Sequence, residues 1–274
     1  MKQTNLYILI ITLLLSVKIY GCSVLFYVDA KTGHVYAVNN EDYWLDTKSY
    51  IQIEPKTKKE FARLWYGWGN FAQGGINEYG LFFDAAITPD QPQLKGYHNP
   101  KDNLGDRLLA SCKTVEDAIS FLEKEKIALI NSHILFGDKS GNAVIIEWLN
   151  GQKILHYIKD NRLIMTNYLL SNPNAGNYPC YRYDSIDRRL TELESSNQDI
   201  TLNKIGNTVG QAVQVPQKAP NGKELGTLYT TFINISTGQF VLSHKLSNTN
   251  IVQLDLNEEF KGKKRKRINL KDKI

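Results

Sequence analysis

Cys22 is the residue of this sequence whose position most directly suggests chemistry. It follows Gly21 at the end of a short leader, so cleavage between the two residues would make a cysteine the first residue of the processed chain. An N-terminal cysteine carries a thiol nucleophile together with an α-amine whose near-neutral pKa suits a base, and it needs no second catalytic side chain. We therefore expect nucleophilic attack on a carbonyl group, provided that the amine stays unmodified.

Residues 1–21 have the three-part layout of a secretory signal peptide. Lys2 lies near the start, an apolar run extends from Leu6 to Val17, and the segment closes on the small residue Gly21. The run is too short to span a bilayer comfortably as a permanent helix, so we predict an exported protein that is periplasmic or extracellular.

The leader also allows a second interpretation. Ile19-Tyr20-Gly21-Cys22 loosely resembles a bacterial lipoprotein cleavage box, in which Cys22 would be lipidated, its amine blocked and the protein anchored in the cell envelope. The bulky Tyr20 fits that box poorly, because small residues are usual there, and this favours a free Cys22.

Composition and charge restrict the class of protein. A chain of 274 residues with 42% hydrophobic content can form one substantial core. The net charge of +5 includes +2 from the leader and +7 from residues 261–274, which leaves −4 for residues 22–260. A mildly acidic body argues against nucleic-acid binding.

We predict a signal peptide at residues 1–21, one domain at 22–260 and a disordered basic tail at 261–274. The tail could alternatively contact a membrane surface weakly.

The order of predicted elements indicates an α+β domain. A hairpin follows Cys22, and the polar cluster Asn39-Asn40-Glu41-Asp42 is expected where its second strand ends. Two helices follow a run of strands, the second with Thr114 as N-cap and Asp117 three residues later, and a third runs from Tyr183 to Leu193. The pattern is that of a layered domain rather than alternating βαβ units. No glycine-rich nucleotide motif opens a helix.

Several polar residues could assist Cys22, although each also has a structural interpretation. Asp42 could lie across the hairpin and orient the new α-amine, or it could belong to a polar turn. Asn167 ends a strand in Thr166-Asn167-Tyr168 and could donate its side-chain NH₂ to an oxyanion, or it could cap a loop.

Cys112 and Cys180 could form a disulfide or remain buried thiols. The five histidines show no metal-binding spacing, so we predict no metal.

Taken in order, these features resemble the choloylglycine hydrolase and penicillin V acylase group of N-terminal nucleophile hydrolases. The matching segments are Cys22, Asn39-Asn40-Glu41-Asp42, Gly75 to Leu81, Asp138-Lys139-Ser140-Gly141 with Glu147, and Met165-Thr166-Asn167. The resemblance implies an αββα four-layer sandwich, often in a homo-oligomer. It also implies hydrolysis of a linear N-acyl amide through an acyl-thioester, without a cofactor. Cys22 would be nucleophile and base, Asp42 would orient the amine, and Asn167 would contribute to the oxyanion hole.

Two departures from the group concern its arginines. Relatives carry an arginine where this chain has Asn39 and another near the position of Thr231. Loss of two guanidinium groups changes how the thiol and a polar group of the substrate are held, so Asn39 is a candidate positioning residue and a bile-salt or penicillin substrate is not expected. Two alternatives stay open: a non-catalytic lipoprotein on the same fold, and transfer of the acyl group to an amine acceptor.

Overall fold

The structure, a computed structural model, describes residues 21–176, 178–196 and 198–270 and consists of fifteen strands and five α-helices within those residues. The predicted signal peptide lies outside the described residues, apart from Gly21. The strands are β1 (Ser23–Val28), β2 (Val35–Trp44), β3 (Ser49–Glu54), β4 (Arg63–Trp68), β5 (Phe71–Asn77), β6 (Phe82–Ile87), β7 (Ser132–Gly137), β8 (Ala143–Leu149), β9 (Gln152–Tyr157), β10 (Arg162–Met165), β11 (Gln217–Lys218), β12 (Glu224–Asn234), β13 (Gln239–His244), β14 (Ile251–Asp255) and β15 (Lys266–Asn269). The helices are α1 (Leu104–Ser111), α2 (Val115–Lys124), α3 (Tyr181–Ser195), α4 (Leu202–Gly210) and α5 (Leu256–Glu259).

The strands form two antiparallel sheets that pack face to face. The first sheet has the order β10-β1-β2-β12-β13-β14, with β11 beside β12, and the second has the order β15-β3-β4-β5-β6-β7-β8-β9. Helices α3 and α4 cover the outer face of the first sheet, and α1 and α2 cover the outer face of the second. The predicted αββα four-layer sandwich is therefore confirmed.

Three apolar cores hold the layers together. The core between the sheets includes Phe26, Tyr66 and Phe82, all fully buried. Each sheet also buries its other face against helices, as Leu108 of α1 and Ile186 of α3 do. Both faces of the central strands are thus covered, which explains why these strands read as nearly continuous apolar runs. The predicted N-terminus of α2 is confirmed, because Thr114 and Asp117 form a reciprocal capping box.

The predicted end of the second strand at residues 39–42 is wrong. The four polar residues continue β2 and all pair with β12, and Asn39 and Asn40 also pair with Val24 and Ser23 of β1. A strand with a neighbour on both sides satisfies its backbone groups whatever its side chains are, so polarity does not end it here. The polar side chains lie inside the sandwich, where each needs a hydrogen-bond partner.

The prediction that the basic tail is disordered is also wrong for residues 266–270, which are ordered against β3. Lys266–Asn269 forms an edge strand on β3, and the amide of Leu270 donates to the carbonyl of Ser49 at 3.0 Å. Ile268 packs against the inter-sheet core, while the guanidinium of Arg267 lies over the ring of Tyr50 at 3.9 Å. An apolar residue alternating with basic ones is the pattern of an edge strand, and the basic charge masked it in the sequence.

Cys112 and Cys180 do not form a disulfide. All three cysteines are free thiols. Cys112 follows α1 on the second sheet and Cys180 precedes α3 on the first, so the two sheets separate them. Within the described part of the chain, no helix has the length and apolar character needed to cross a membrane.

Candidate active site

Strand β2 divides its four polar residues between two environments. Side chains alternate along a strand, so Asn39 and Glu41 face the second sheet while Asn40 and Asp42 face the helices. Asn40 donates to the carbonyl of Val209 in α4 at 2.8 Å, whereas Asn39 donates to Asp84 of the second sheet. One short segment therefore supplies polar groups to both sides of the first sheet.

Cys22 lies immediately before β1 with its thiol in the space between the sheets. Its side chain is buried, and Sγ donates to Oε1 of Glu41 at 2.9 Å. Burial, and then the neighbouring Glu41 and Asp84, raise the pKa of the Cys22 thiol well above its ordinary value. Residue 22 is joined to Gly21 in this structure and has no free α-amine, so the predicted contact between such an amine and Asp42 stays a prediction.

Asp42 and Asn167 are joined by a residue that sequence reasoning missed. Arg182 lies at the start of α3. One of its guanidinium nitrogens donates a hydrogen bond to Oδ2 of Asp42 at 2.6 Å, and another donates to Oδ1 of Asn167 at 2.7 Å. Thr227 donates to the second oxygen of Asp42 at 2.6 Å, next to a register shift in β12. Burial raises the pKa of Asp42 to about 6, although Arg182 and Thr227 lower it.

Asn167 lies beside the peptide that precedes Cys22. Its Nδ2 donates to the carbonyl of Ile87 at 2.8 Å, while Arg182 fixes the orientation of its amide. A Cβ atom on Gly21 would overlap the side-chain amide of Asn167, so only glycine fits there. The structure thus brings Cys22, Asp42 and Asn167 together around Gly21.

Asn39 belongs to a fully buried network rather than to the surface of the site. Its Nδ2 donates to Oδ1 of Asp84 at 2.8 Å, and the hydroxyl of Tyr66 donates to the other oxygen at 2.9 Å. Burial, followed by the charge of Glu41, raises the pKa of Asp84 well above its ordinary value. A side chain on Gly74 would overlap both Asp84 and Tyr66. Where the resemblance leads us to expect an arginine, this chain has an amide bound to a buried carboxyl group.

A small cavity of about 70 Å³ opens beside Cys22. Its wall includes Tyr43 and Trp68, whose rings stack at 4.4 Å. The other lining residues are Gly21, Cys22, Glu41, Asp42, Gln73, Ala85, Ala86, Ile87 and Ser132, so the described lining contains two acids and no Lys, Arg or His. A larger cavity of about 720 Å³ between α4 and the strands β13 and β14 shares no residue with this site.

Glu147 holds the loop that carries Asn167. Its carboxylate accepts hydrogen bonds from Nδ1 of His133 at 3.2 Å and from the amides of Leu170 and Ser171 at 2.6 and 3.0 Å. The other ring nitrogen of His133 contacts the carbonyl of Thr166 at 2.6 Å. The residue preceding Asn167 and the residues following it are thereby tied to the second sheet.

The remaining family-like segments have structural roles. Asn77 donates to the carbonyls of Leu109 and Cys112 at the end of α1, at 2.8 and 2.7 Å, and its Oδ1 accepts from two amides of its own turn. Asp138 accepts from the amide of Val115 at the first turn of α2 at 3.1 Å. These side chains satisfy helix-end groups that would otherwise lack partners. Within the described residues, no cluster of three or more His, Cys, Asp or Glu could hold a metal ion.

Comparison with known proteins agrees with this description. A sequence model of the acyl-coenzyme A:6-aminopenicillanic acid acyl-transferase family matches residues 28–238. No curated protein sequence gives a significant match. Two variant structures of conjugated bile acid hydrolase from Clostridium perfringens are each 15% identical, cover 89% and 90% of this chain and 96% of their own, and have TM-scores of 0.71 and 0.72.

Penicillin V acylase from Agrobacterium tumefaciens is similar in the same way, with 17% identity, a TM-score of 0.68 and coverage of 90% of both chains. At these identities the solved structures establish the fold, and the family match spans most of the chain. The predicted membership of this enzyme group is therefore confirmed. This chain belongs to the acyl-coenzyme A:6-aminopenicillanic acid acyl-transferase family, within the choloylglycine hydrolase and penicillin V acylase group.

Proposed function

We propose that the protein is an exported amidohydrolase that cleaves a linear N-acyl amide through a thioester on Cys22. The observation that carries the proposal is the position of Gly21 between the thiol-bearing residue and the amide of Asn167. Removal of residues 1–21 frees this space, and a substrate carbonyl placed there would have Cys22 on one side and an NH donor on the other. That is the arrangement needed for attack on a carbonyl carbon with stabilisation of the oxyanion.

Each site residue then has one task. Cys22 attacks the carbonyl carbon, and Asn167 donates to the oxygen on which charge develops. Arg182 holds the amide oxygen of Asn167, which turns its NH₂ group toward Ile87 and Gly21. Asp42, neutralised by Arg182, lies on the cavity wall, where the amine of a processed Cys22 could bind to it.

The substrate class follows from the charges of the cavity wall. Among its described residues there is no cation, and Glu41 and Asp42 are both present. A carboxylate or sulfonate close to the scissile bond would have no partner there, so we propose an uncharged or amine-bearing substrate. The name of the similar bile acid hydrolase indicates an acidic substrate, whereas this chain has Asn39 and Thr231 at or near the positions where the resemblance leads us to expect arginines.

Acyl transfer is a second candidate, because the family model that matches is that of an acyl-transferase. The acyl-enzyme is common to both reactions, and only the acceptor differs. Incubation with an N-acyl amide and a competing primary amine separates them, since hydrolysis releases free acid and transfer yields a new amide.

The test uses processed protein from the cell exterior. N-terminal sequencing should begin at Cys22, and Cys22→Ala should abolish turnover of neutral N-acyl amides without loss of fold. Full activity of that variant would contradict the mechanism. A processed chain that starts elsewhere, or a Cys22 that takes up labelled palmitate, would instead indicate the lipoprotein alternative.

A further inference from the structure

Two basic segments from distant parts of the chain lie side by side at one edge of the second sheet. Residues 54–60 begin at the last residue of β3, and residues 258–267 lead into β15. Because β15 pairs antiparallel with β3, with Lys266 opposite Ile53, the residues before Lys266 run past the end of β3. The contact is direct, since Nε of Arg265 donates to Oε2 of Glu54 at 2.9 Å. These two segments together are called the basic edge below.

The basic edge carries the positive charge of the folded chain. It contains nine Lys and Arg residues against four Glu residues, which gives a net charge of +5. All described residues together carry +2, because the overall +5 includes +2 from Lys2 and Lys18 and +1 from residues 271–274. The rest of the described chain therefore carries −3. Charge of one sign is gathered on one edge, so an anionic partner is attracted to that edge.

Four lysines of the basic edge have side chains that are free to bind a partner. Lys58, Lys59, Lys263 and Lys264 are exposed, and their ammonium groups form no hydrogen bond or ion pair with any described residue. Most of the other basic side chains of the edge are paired with glutamates and hold it together. A hydrated ammonium group binds phosphate as a point charge without a fixed geometry.

An exposed aromatic pair lies against the same edge. The rings of Phe61 and Tyr79 meet edge to face at 4.6 Å, and 38% of Tyr79 is exposed. Nζ of Lys56 and Nζ of Lys113 lie 5.9 and 4.6 Å from the centre of the Tyr79 ring. Tyrosine among lysines is the combination that suits lipid headgroups, because the ring enters the interface while the ammonium groups bind phosphates. A soluble polyanion would use the charge but not the ring.

We propose that the basic edge docks the folded chain on an anionic phospholipid surface and leaves the active-site cavity open to water. The orientation follows from the pairing of β3 with β4. Trp68, on the cavity wall, pairs with Ser49 at one end, whereas Arg63 pairs with Glu54 at the other. These ends are about 17 Å apart, at about 3.4 Å per strand residue. Substrate therefore reaches Cys22 from the aqueous side.

Docking of this kind is electrostatic and reversible. Each lysine close to an anionic membrane surface increases the affinity by about fivefold, and the attraction falls off within a Debye length. Binding therefore weakens as the salt concentration rises, and a surface without net charge does not hold the protein. The four unpaired lysines together account for a change of about 100-fold or more.

The experiment measures co-sedimentation of the processed chain with lipid vesicles. We expect binding to vesicles that contain phosphatidylglycerol, no binding to phosphatidylcholine alone, and weaker binding at higher salt. A variant with Gln at positions 58, 59, 263 and 264 should bind about 100-fold more weakly. Its urea unfolding should match that of the wild type, because the four side chains make no contact that the substitution breaks. Tyr79→Ser should weaken binding severalfold.

A matched control replaces four other lysines with Gln. Lys48, Lys95, Lys101 and Lys159 are also exposed, and their ammonium groups form no hydrogen bond or ion pair with any described residue. The control removes the same net charge from other parts of the surface. A general effect of net charge predicts equal loss of binding in both variants, whereas docking by the basic edge predicts only a small loss in the control.

Equal loss in the two variants, or equal binding of the wild type to both kinds of vesicle, would overturn the proposal. Binding to soluble polyphosphate without binding to phosphatidylglycerol vesicles would overturn it in favour of a soluble polyanion. Turnover of a water-soluble N-acyl amide should be the same in free and vesicle-bound protein, and its loss on vesicles would overturn the orientation. Cys22→Ala should bind vesicles as the wild type does, so docking is tested independently of the proposed reaction.

Discussion

Arg182 and Asp42 form a buried ion pair at 2.6 Å although 140 residues separate them in the chain. The pair lies between the helical layer and the first sheet, and the second arm of the guanidinium reaches Asn167. One cation therefore fixes two residues that the sequence resemblance assigns to catalysis. The arginines expected in relatives, at the positions of Asn39 and near Thr231, would lie on the other face of the sheet. The guanidinium of Arg182 instead orients the side chains of Asp42 and Asn167.

Substitution of Arg182 should separate the effects on stability from those on catalysis. Arg182→Met leaves the Asp42 carboxylate buried without its cation, so we expect a loss of about 3–5 kcal/mol in the free energy of unfolding near neutral pH. Arg182→Lys keeps the charge but cannot donate to Asp42 and Asn167 in fork geometry, so it should unfold less readily than Arg182→Met while losing about tenfold or more in kcat. Urea unfolding and turnover measure the two effects, and a fully active lysine variant would contradict the bridging role.

Asn167→Ala should lower kcat by about 100-fold to 1,000-fold with a small change in KM, because the proposed hydrogen bond forms mainly in the transition state. Asn172→Ala is a control in the same loop, since the Asn172 side chain makes no capping hydrogen bond. Steady-state kinetics on one neutral N-acyl amide compare the two. Equal kinetics for Asn167→Ala and the control would exclude an oxyanion role for Asn167.

Glu147→Gln should weaken the loop that carries Asn167 without touching Cys22. Burial alone would raise the pKa of Glu147, but hydrogen bonds from His133, His156 and Ser171 hold it below its usual range. Its stabilisation is therefore present above the ordinary glutamate pKa and is lost as pH falls below that value. We expect the variant to be less stable at neutral pH and to lose less on acidification, with reduced kcat and unchanged alkylation of Cys22. An unaltered acid-unfolding curve would show that Glu147 is not a stabilising carboxylate.

The buried acids should make the unprocessed chain less stable as pH rises. The folded-state pKa values of Asp42 and Glu41 are raised to about 6 and about 8, so the folded chain holds protons that the unfolded chain has released. Each group then costs about 1.4 kcal/mol per pH unit between its ordinary pKa and its raised value. Unfolding midpoints in urea should fall from weakly acid to weakly alkaline pH. Glu41→Gln should flatten the upper part of this decline, and a wild-type curve that is already flat there would contradict the assigned pKa directions.

Local patterns predicted the helix start and the hairpin strands, because short-range interactions form those elements. The capping box at Thr114 and the hairpin strands follow from short-range caps and side-chain periodicity, whereas the αββα layering came from the family resemblance. The strand at residues 266–269 did not, since six basic residues lie among residues 261–267 and only Ile268 signals the buried side. Its pairing partner, β3, is more than 200 residues away.

The site was predicted only in part, because some of its residues are recognisable from their sequence neighbours and others are defined only by long-range contacts. Cys22, Asp42 and Asn167 were identifiable from their order and neighbours, and the structure brings them together. Arg182 was not, because an arginine at the start of an amphipathic helix has the pattern of a solvated residue. The burial of Glu41 and Asp84 depends on the contact between two sheets, which no local segment encodes. The run Asn39-Asn40-Glu41-Asp42 was the available signal: as a strand, it places Glu41 on the same face as Asn39.

The central claim is that Cys22 is an N-terminal nucleophile, and the most direct test is to trap the acyl-enzyme. Processed protein mixed with a slowly turned-over neutral N-acyl amide and quenched in acid should gain the mass of the acyl group. Peptide mapping should place this mass as a thioester on a peptide that begins with Cys22, and Cys22→Ala should show none. Turnover without an adduct in the wild type, or an adduct on a chain in which Gly21 still precedes Cys22, would contradict the account.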